Sequence, residues 1–286
     1  MFKLRKLSLI FILSPVLLGG FSSVPVVTNP TIKLNGPNPY VLEVGTAYNE
    51  LGATAEDAED GVLTNTISIT GVVNNTQLGN YYIQYAVTDS DSNTTIRDRE
   101  VRVVDTTPPI ITRTGNAVIT LEVGDIYSEQ GASATDNYDT SVSVVVGGDT
   151  VDTTTVGTYT VTYNATDTSN NAAAQVIRTV NVVDTTPPTI TINSPNPLII
   201  SLGGAFSVPS YTTSDNSQGT VTVTVTDNVN INTTGAYTVN YSASDPSGNT
   251  NSEVLNVYVG PEANAGTDTS ICKNDEIYIG SSSANP

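Results

Sequence analysis

The sequence predicts an all-β chain, with three tandem two-sheet sandwiches strung end to end as an extended rod. Three observations lead there. One block of sequence occurs three times, at an offset of 79 residues in its first part and 78 in its later part. Within it, apolar and polar residues alternate, as in Val221-Thr-Val-Thr-Val225, the two-residue period of a half-buried strand. After residue 23 no apolar pattern of helical period is found, and Gly and Asn-Asp clusters punctuate the chain at the short spacing of a sandwich.

The repeats are read position by position. Leu42–Gly45 (LEVG) returns as Leu121–Gly124, Pro30 as Pro109 and Pro188, and Tyr48 as Tyr127 and then Phe206. Gly79, Gly157 and Gly235 each precede an aromatic by two places, at Tyr81, Tyr159 and Tyr237. A second aromatic follows at Tyr85, Tyr163 and Tyr241. Asp89, Asp167 and Asp245 come next, each four residues before Asn93, Asn171 or Asn249. The units are therefore 28–105, 106–184 and 185–260, each with room for six or seven short strands. The Gly-x-Tyr-x-(Val/Ile) step resembles the tyrosine corner of immunoglobulin folds. The antibody cysteine two places on is here Ile83, Val161 or Val239. Without a disulfide, each core is expected to close with Val, Ile, Leu and Tyr alone. The paired prolines of Asp105–Pro109 and Asp184–Pro188 (DTTPP) predict short, semi-rigid linkers.

Composition excludes several functions. The 286 residues carry 28 acidic and 10 basic side chains, a net charge of -18, with no His, no Trp and one Cys. No His means no imidazole base for a Ser or Cys nucleophile and no imidazole metal ligand. One Cys excludes an internal disulfide and a thiolate zinc site. The acidity argues against nucleic acid, whose phosphates need Lys and Arg. Residues 1–23 read as a cleaved secretory leader: Lys3, Arg5 and Lys6, then an apolar run to Leu18, then Gly19, Gly20, Ser22 and Ser23. No later run is long and apolar enough to span a membrane. With the leader cleaved, the mature chain is expected outside the cell, secreted or on its surface.

Carboxylates gather where sandwich topology would place the loops nearest each linker. In the second unit these are Asp136, Asp139 and Asp167, approached by Asp105; in the third, Asp215 and Asp245, approached by Asp184. Asp57, Asp60 and Asp89 hold the matching places in the first. Converging carboxylates without basic partners suit Ca2+, which takes six to eight oxygens in irregular loops. The other reading is that Asp and Asn shape these turns through their own backbone bonds. No cofactor is otherwise required. Glu43 and Glu122 occupy equivalent positions in separate units, so they cannot form a glycosidase pair and are expected at strand ends.

The order DTTPP, strand, LEVG-x-x-Tyr, GATA-x-Asp, then G-x-Y-x-V-x-Y-x-A-x-D-x-x-x-N resembles the bacterial immunoglobulin-like surface domain. That family is often named after an insecticidal crystal protein and is close to the hyalin-repeat type. The resemblance covers about residues 28–260 and implies a spacer, stalk or adhesion module of a surface protein, with no catalytic residue. An unidentified surface glycan or protein would be its partner, and the chain would act as a monomeric rod within a longer polypeptide. The third unit departs most: Ser201 stands for Glu122 and Gln218 for Asp139, and its exit is Gly260-Pro261. Residues 261–286, with ANAGTDTSIC at Ala263–Cys272, resemble the opening of a further Bacteroidetes-type surface repeat. A natural tail with a free thiol is the alternative. The other functional readings are an ancillary, carbohydrate-binding region of a larger exported enzyme and a carbohydrate-binding module in its own right.

Overall fold

Alternation of buried and exposed side chains sets the architecture. In the computed structural model, which describes residues 27–261, Ile83, Tyr85 and Val87 turn inward while Gln84 and Thr88 face solvent. The expected leader, the tail beyond Pro261 and Cys272 lie outside the described residues. Among the described residues all regular structure is strand, apart from one 3-10 turn at Thr64–Thr66.

The first sandwich comprises β1 (Thr31–Leu34), β2 (Tyr40–Glu43), β3 (Ala53–Asp57), β4 (Gly61–Val62), β5 (Ser68–Thr70), β6 (Gly79–Thr88) and β7 (Thr94–Val104). The second comprises β8 (Ile110–Arg113), β9 (Val118–Glu122), β10 (Ala132–Thr135), β11 (Val144–Gly148), β12 (Gly157–Ala165) and β13 (Val176–Val183). The third comprises β14 (Thr189–Ile192), β15 (Leu198–Ser201), β16 (Tyr211–Ser214), β17 (Thr222–Asp227), β18 (Gly235–Ser244) and β19 (Thr250–Gly260). The large sheets run β2-β7-β6-β5, β9-β13-β12-β11 and β15-β19-β18-β17; the small ones are β1-β3-β4, β8-β10 and β14-β16. All pairings are antiparallel except β2 with β7, β9 with β13 and β15 with β19. The described residues divide into two compact units at Thr107 and Pro108, the second unit holding two sandwiches.

Each sandwich carries the tyrosine corner. Tyr81, Tyr159 and Tyr237 donate through their hydroxyls to the carbonyls of Gln77, Thr155 and Thr233, at 3.0, 3.0 and 2.9 Å. The bond reaches back four residues and pins the loop that leads into β6, β12 or β18. Tyr85, Tyr163 and Tyr241 are fully buried one strand-turn further on.

The cores differ from the expectation of aliphatic and tyrosyl packing alone. Arg99 and Arg178 are completely buried. They lie opposite Ile83 and Val161, in phase with the inward valines Val101 and Val103, and Val180 and Val182. Arg178 Nη1 sits 2.8 Å from Glu129 Oε1, and its Nη2 donates to the Thr114 carbonyl. Glu129 also accepts from the Tyr163 and Tyr127 hydroxyls and the Gly131 amide. In the first sandwich Arg99 donates to the carbonyls of Pro37, Asn35 and Gly52 at 2.8, 2.7 and 2.9 Å. Its Nε lies 3.4 Å from Glu50 Oε1, which Tyr85 and the Gly52 amide also reach. A buried guanidinium is tolerable because carbonyls and one carboxylate satisfy it in a fixed planar fork. Burial pushes the Glu129 carboxyl up, but the bonds from Tyr127, Tyr163 and Gly131 and the Arg178 charge together hold it below the usual range. Burial and the bond to Glu129 push the Tyr163 hydroxyl up to about 12.

The third sandwich does without these charges. The strand register places Leu255 where Arg178 stands, since Val239 faces Leu255 as Val161 faces Arg178. Phe206 replaces Tyr127 and Val208 replaces Glu129. Leu255 is fully buried, Phe206 packs on the same cluster, and Tyr241 donates to the Pro209 carbonyl at 2.9 Å. The three positions have changed together, leaving no unmatched charge.

Glu129→Val alone should therefore destabilise the chain by about 3–5 kcal/mol, because Arg178 is left buried without its carboxylate. Tyr127→Phe, Glu129→Val and Arg178→Leu combined reproduce the third core and should recover most of that loss. Thermal and urea unfolding of the two variants checks this; equal destabilisation by both would contradict the pairing.

Candidate functional site

Parallel pairing of the second and last strands brings the end of each early strand beside the exit of the same sandwich. Glu43 is paired with Val104 and Glu122 with Val183. The linker that follows therefore passes within reach of these carboxylates. Glu43 accepts from the Thr106 amide at 3.0 Å and from the Thr106 and Thr107 hydroxyls at 2.6 and 2.7 Å. Glu122 accepts from the Thr185 amide and hydroxyl, both at 2.8 Å, and from the Thr186 hydroxyl at 3.0 Å. It also accepts from Asn216 Nδ2 of the third sandwich at 3.2 Å. The Asp-Thr-Thr string is thus a clamp: two hydroxyls and an amide on one carboxylate. The Thr185 amide, with the Thr185, Asn216 and Thr186 side chains, overcomes partial burial and holds the Glu122 pKa down at about 2. Both glutamates stand at strand ends, as expected, but the clamp itself was not anticipated. Its signal was the joint recurrence of Glu and Thr-Thr, and the loss of both in the third repeat, where Ser201 pairs with Gly260.

The loop acids have local work of their own. Asp89, Asp167 and Asp245 accept from the backbone amides of Asn93, Asn171 and Asn249 at 2.7, 2.7 and 2.8 Å. Each asparagine returns its side-chain amide to the other carboxylate oxygen. The intervening Ser92, Asn170 and Gly248 take φ of 73°, 68° and 91°, the left-handed geometry that closes the turn. Asp57 and Asp136 each accept two backbone amides from the residues just beyond them, at 2.9 to 3.1 Å. Asp60 grips the Ser90 amide and hydroxyl, and Asp139 those of Thr168, tying one loop to the next. Asp105 is buried at the end of the first sandwich, and its Oδ1 accepts from the Thr107 amide at 3.2 Å.

Of the acids singled out in sequence, Asp184, Asp215 and Asp245 come together at the junction of the second and third sandwiches. One carboxylate oxygen from each lies within 4.8 Å of the others. Asp184 is carried by the linker after β13, Asp215 by the loop after β16 and Asp245 by the turn after β18. Asn249 ties two of these elements, donating to the Asp184 carbonyl at 3.0 Å and to Asp245 Oδ2 at 2.9 Å. Asp167 is engaged by Asn171 within its own turn.

A family model described as bacterial surface protein, Ig-like domain, matches residues 32–103, 111–182 and 190–259. Hyalin of Lytechinus variegatus is 32% identical over 275 residues, covering 88% of this chain and 50% of that protein. Hyalin of Strongylocentrotus purpuratus is 33% identical over 174 residues, covering 54% of this chain and 14% of that protein. The chain thus spans half or less of these relatives. Among solved structures, the protocadherin gammaB4 extracellular domain matches 81% of this chain and 51% of its own, with 11% identity and a TM-score of 0.31. A Bacteroides thetaiotaomicron lipoprotein matches 79% and 98%, with 14% identity and a TM-score of 0.26. At these scores neither superposition bears on function.

The clamp makes a pH prediction. Glu122 has a folded pKa of about 2 against an ordinary 4.5. A depressed carboxylate contributes stability that is complete above the ordinary value and is lost as pH falls through the folded one. Glu122→Gln should lower the unfolding midpoint at pH 7 and flatten its decline between pH 5 and pH 2. Midpoints that run parallel to the wild-type curve would contradict the assignment.

Proposed function

Because the chain belongs to the family of bacterial surface protein Ig-like domains, we propose that it is an exported, non-catalytic protein whose repeats serve at the cell surface as spacer or adhesion modules. The observation that carries this reading is the match of all three sandwiches to one surface-domain family. The structure supports it in kind. Each sandwich has its own pair of sheets, and the first two clamp their exit linkers in the same way. Repetition of a self-contained unit with a fixed exit is how a chain gains reach without gaining a new fold. The absence of His from the whole sequence also leaves no imidazole base for hydrolytic chemistry. Among the described residues, no helix is long and apolar enough to cross a membrane.

Export is checked by producing the chain from Met1 in bacterial cells, treating intact cells and medium with protease, and sequencing the mature N-terminus. The reading expects the repeats outside the inner membrane and a new N-terminus near residue 24. Chain retained in the cytoplasm with its first 23 residues in place would overturn it. The modular role is checked by stretching the chain between two handles. Three separate unfolding steps are expected, each releasing roughly 22–25 nm, the extended length of one repeat less its folded span. A single step would contradict a spacer of independent units.

A further inference from the structure

We propose that Asp184, Asp215 and Asp245 form a binding site for a hard divalent cation, Ca2+, at the junction of the second and third sandwiches. Their facing oxygens lie within 4.8 Å of one another. Two oxygens bound to one Ca2+ at about 2.4 Å are at most about 4.8 Å apart, so three such carboxylates fit around a single ion. The second observation concerns individual atoms. Asp184 is 7% exposed; its Oδ1 accepts from the Thr186 amide at 3.2 Å, while its Oδ2 is buried with no donor. Asp215 repeats the pattern, with Oδ2 held by Ser217 and Oδ1 buried with no donor. Buried carboxylate oxygens are ordinarily paired, and two that are not, on neighbouring acids, call for a cation. None of the three acids makes a salt bridge: among the described residues the bridges are Arg99–Glu50, Arg102–Glu100 and Arg178–Glu129.

The first repeat supplies the contrast. Where the second and third repeats are approached by Asp105 and Asp184, the first has Val26 in sequence. There the Asp57 Oδ2 takes a hydroxyl donor, Thr28 Oγ1, at 3.4 Å. At the Asp184 junction a third carboxylate stands in place of a donor. The three acids come from the linker and from two loops of the third sandwich, and Glu122 of the second sandwich holds the same linker through Thr185 and Thr186. An ion there would fix the linker and both loops together. Irregular loop donors suit the variable coordination of Ca2+ better than the strict octahedron of Mg2+. This inference goes beyond the surface role and does not depend on it.

The test is calorimetric titration of the full chain with CaCl2 after EDTA treatment, with thermal unfolding in EDTA and in Ca2+, and MgCl2 in parallel. Wild type should bind Ca2+ saturably and unfold at higher temperature in its presence, with a weaker response to Mg2+. Asp184→Asn and Asp215→Asn should each remove one equivalent of binding. In EDTA each variant should be as stable as wild type or more so, because a repelling charge is gone; in Ca2+ each should be less stable. A purely structural role for these acids would lower stability equally in both conditions. Unchanged stoichiometry in both variants, or no heat and no Ca2+-dependent shift in wild type, would overturn the site.

Discussion

The parallel pairing of the second strand with the last strand of each sandwich is the constraint from which the joints follow. An antiparallel partner there would carry the early strand's end to the far pole. With parallel pairing, Glu43 and Glu122 finish level with Val104 and Val183, the last strand residues before the linkers. The backbone register thus delivers an acceptor to the spot where the exit chain presents two threonine hydroxyls and an amide. Proline pairs then keep the chain extended beyond the clamp. Strand topology, clamp and linker are one device, and the loops bearing Asp215 and Asp245 meet the linker because the device fixes its course.

The cores show two solutions to one packing problem. In the first two sandwiches, long polar side chains bridge the sheets, with a guanidinium at the centre and a carboxylate and two phenols around it. In the third, leucine and phenylalanine pack in the corresponding places, while the valine that replaces the carboxylate, Val208, stays largely exposed. Buried ion networks and apolar isosteres often differ little in net stability, whereas half of a network is costly. That asymmetry explains why the three positions differ as a set.

Much of this was legible in the sequence. The repeat offsets gave the sandwiches, alternation over Tyr159–Ala165 and Val221–Val225 gave strands found at Gly157–Ala165 and Thr222–Asp227, and Gly-x-Tyr gave the corners. The Asp-x-x-x-Asn spacing is a turn closed by its own side chains, a local interaction that local sequence can report. The buried arginines were missed because charge is ordinarily read as exposure. Yet Arg178, Val180 and Val182 share one phase of the strand, and that phase points inward. Their partner, Glu129, lies 49 residues away, and no local pattern announces such a contact. The gathering of Asp184, Asp215 and Asp245 followed from topology, but the orphaned oxygens needed side-chain packing to be seen.

The unlike cores also bear on how adjacent copies avoid exchanging pieces while the chain folds. Repeats of similar sequence joined by short linkers are prone to trade strands. If β19 were inserted where β13 belongs, Leu255 would be set against Glu129, Tyr127 and Tyr163, and the half-buried carboxylate would lose its guanidinium. The reverse exchange would drive a guanidinium into the apolar cluster of Val239, Tyr241 and Phe206, where no carboxylate awaits it. Each error carries an electrostatic penalty that correct assembly avoids, so the second and third neighbours are insulated from each other by the chemistry of their interiors.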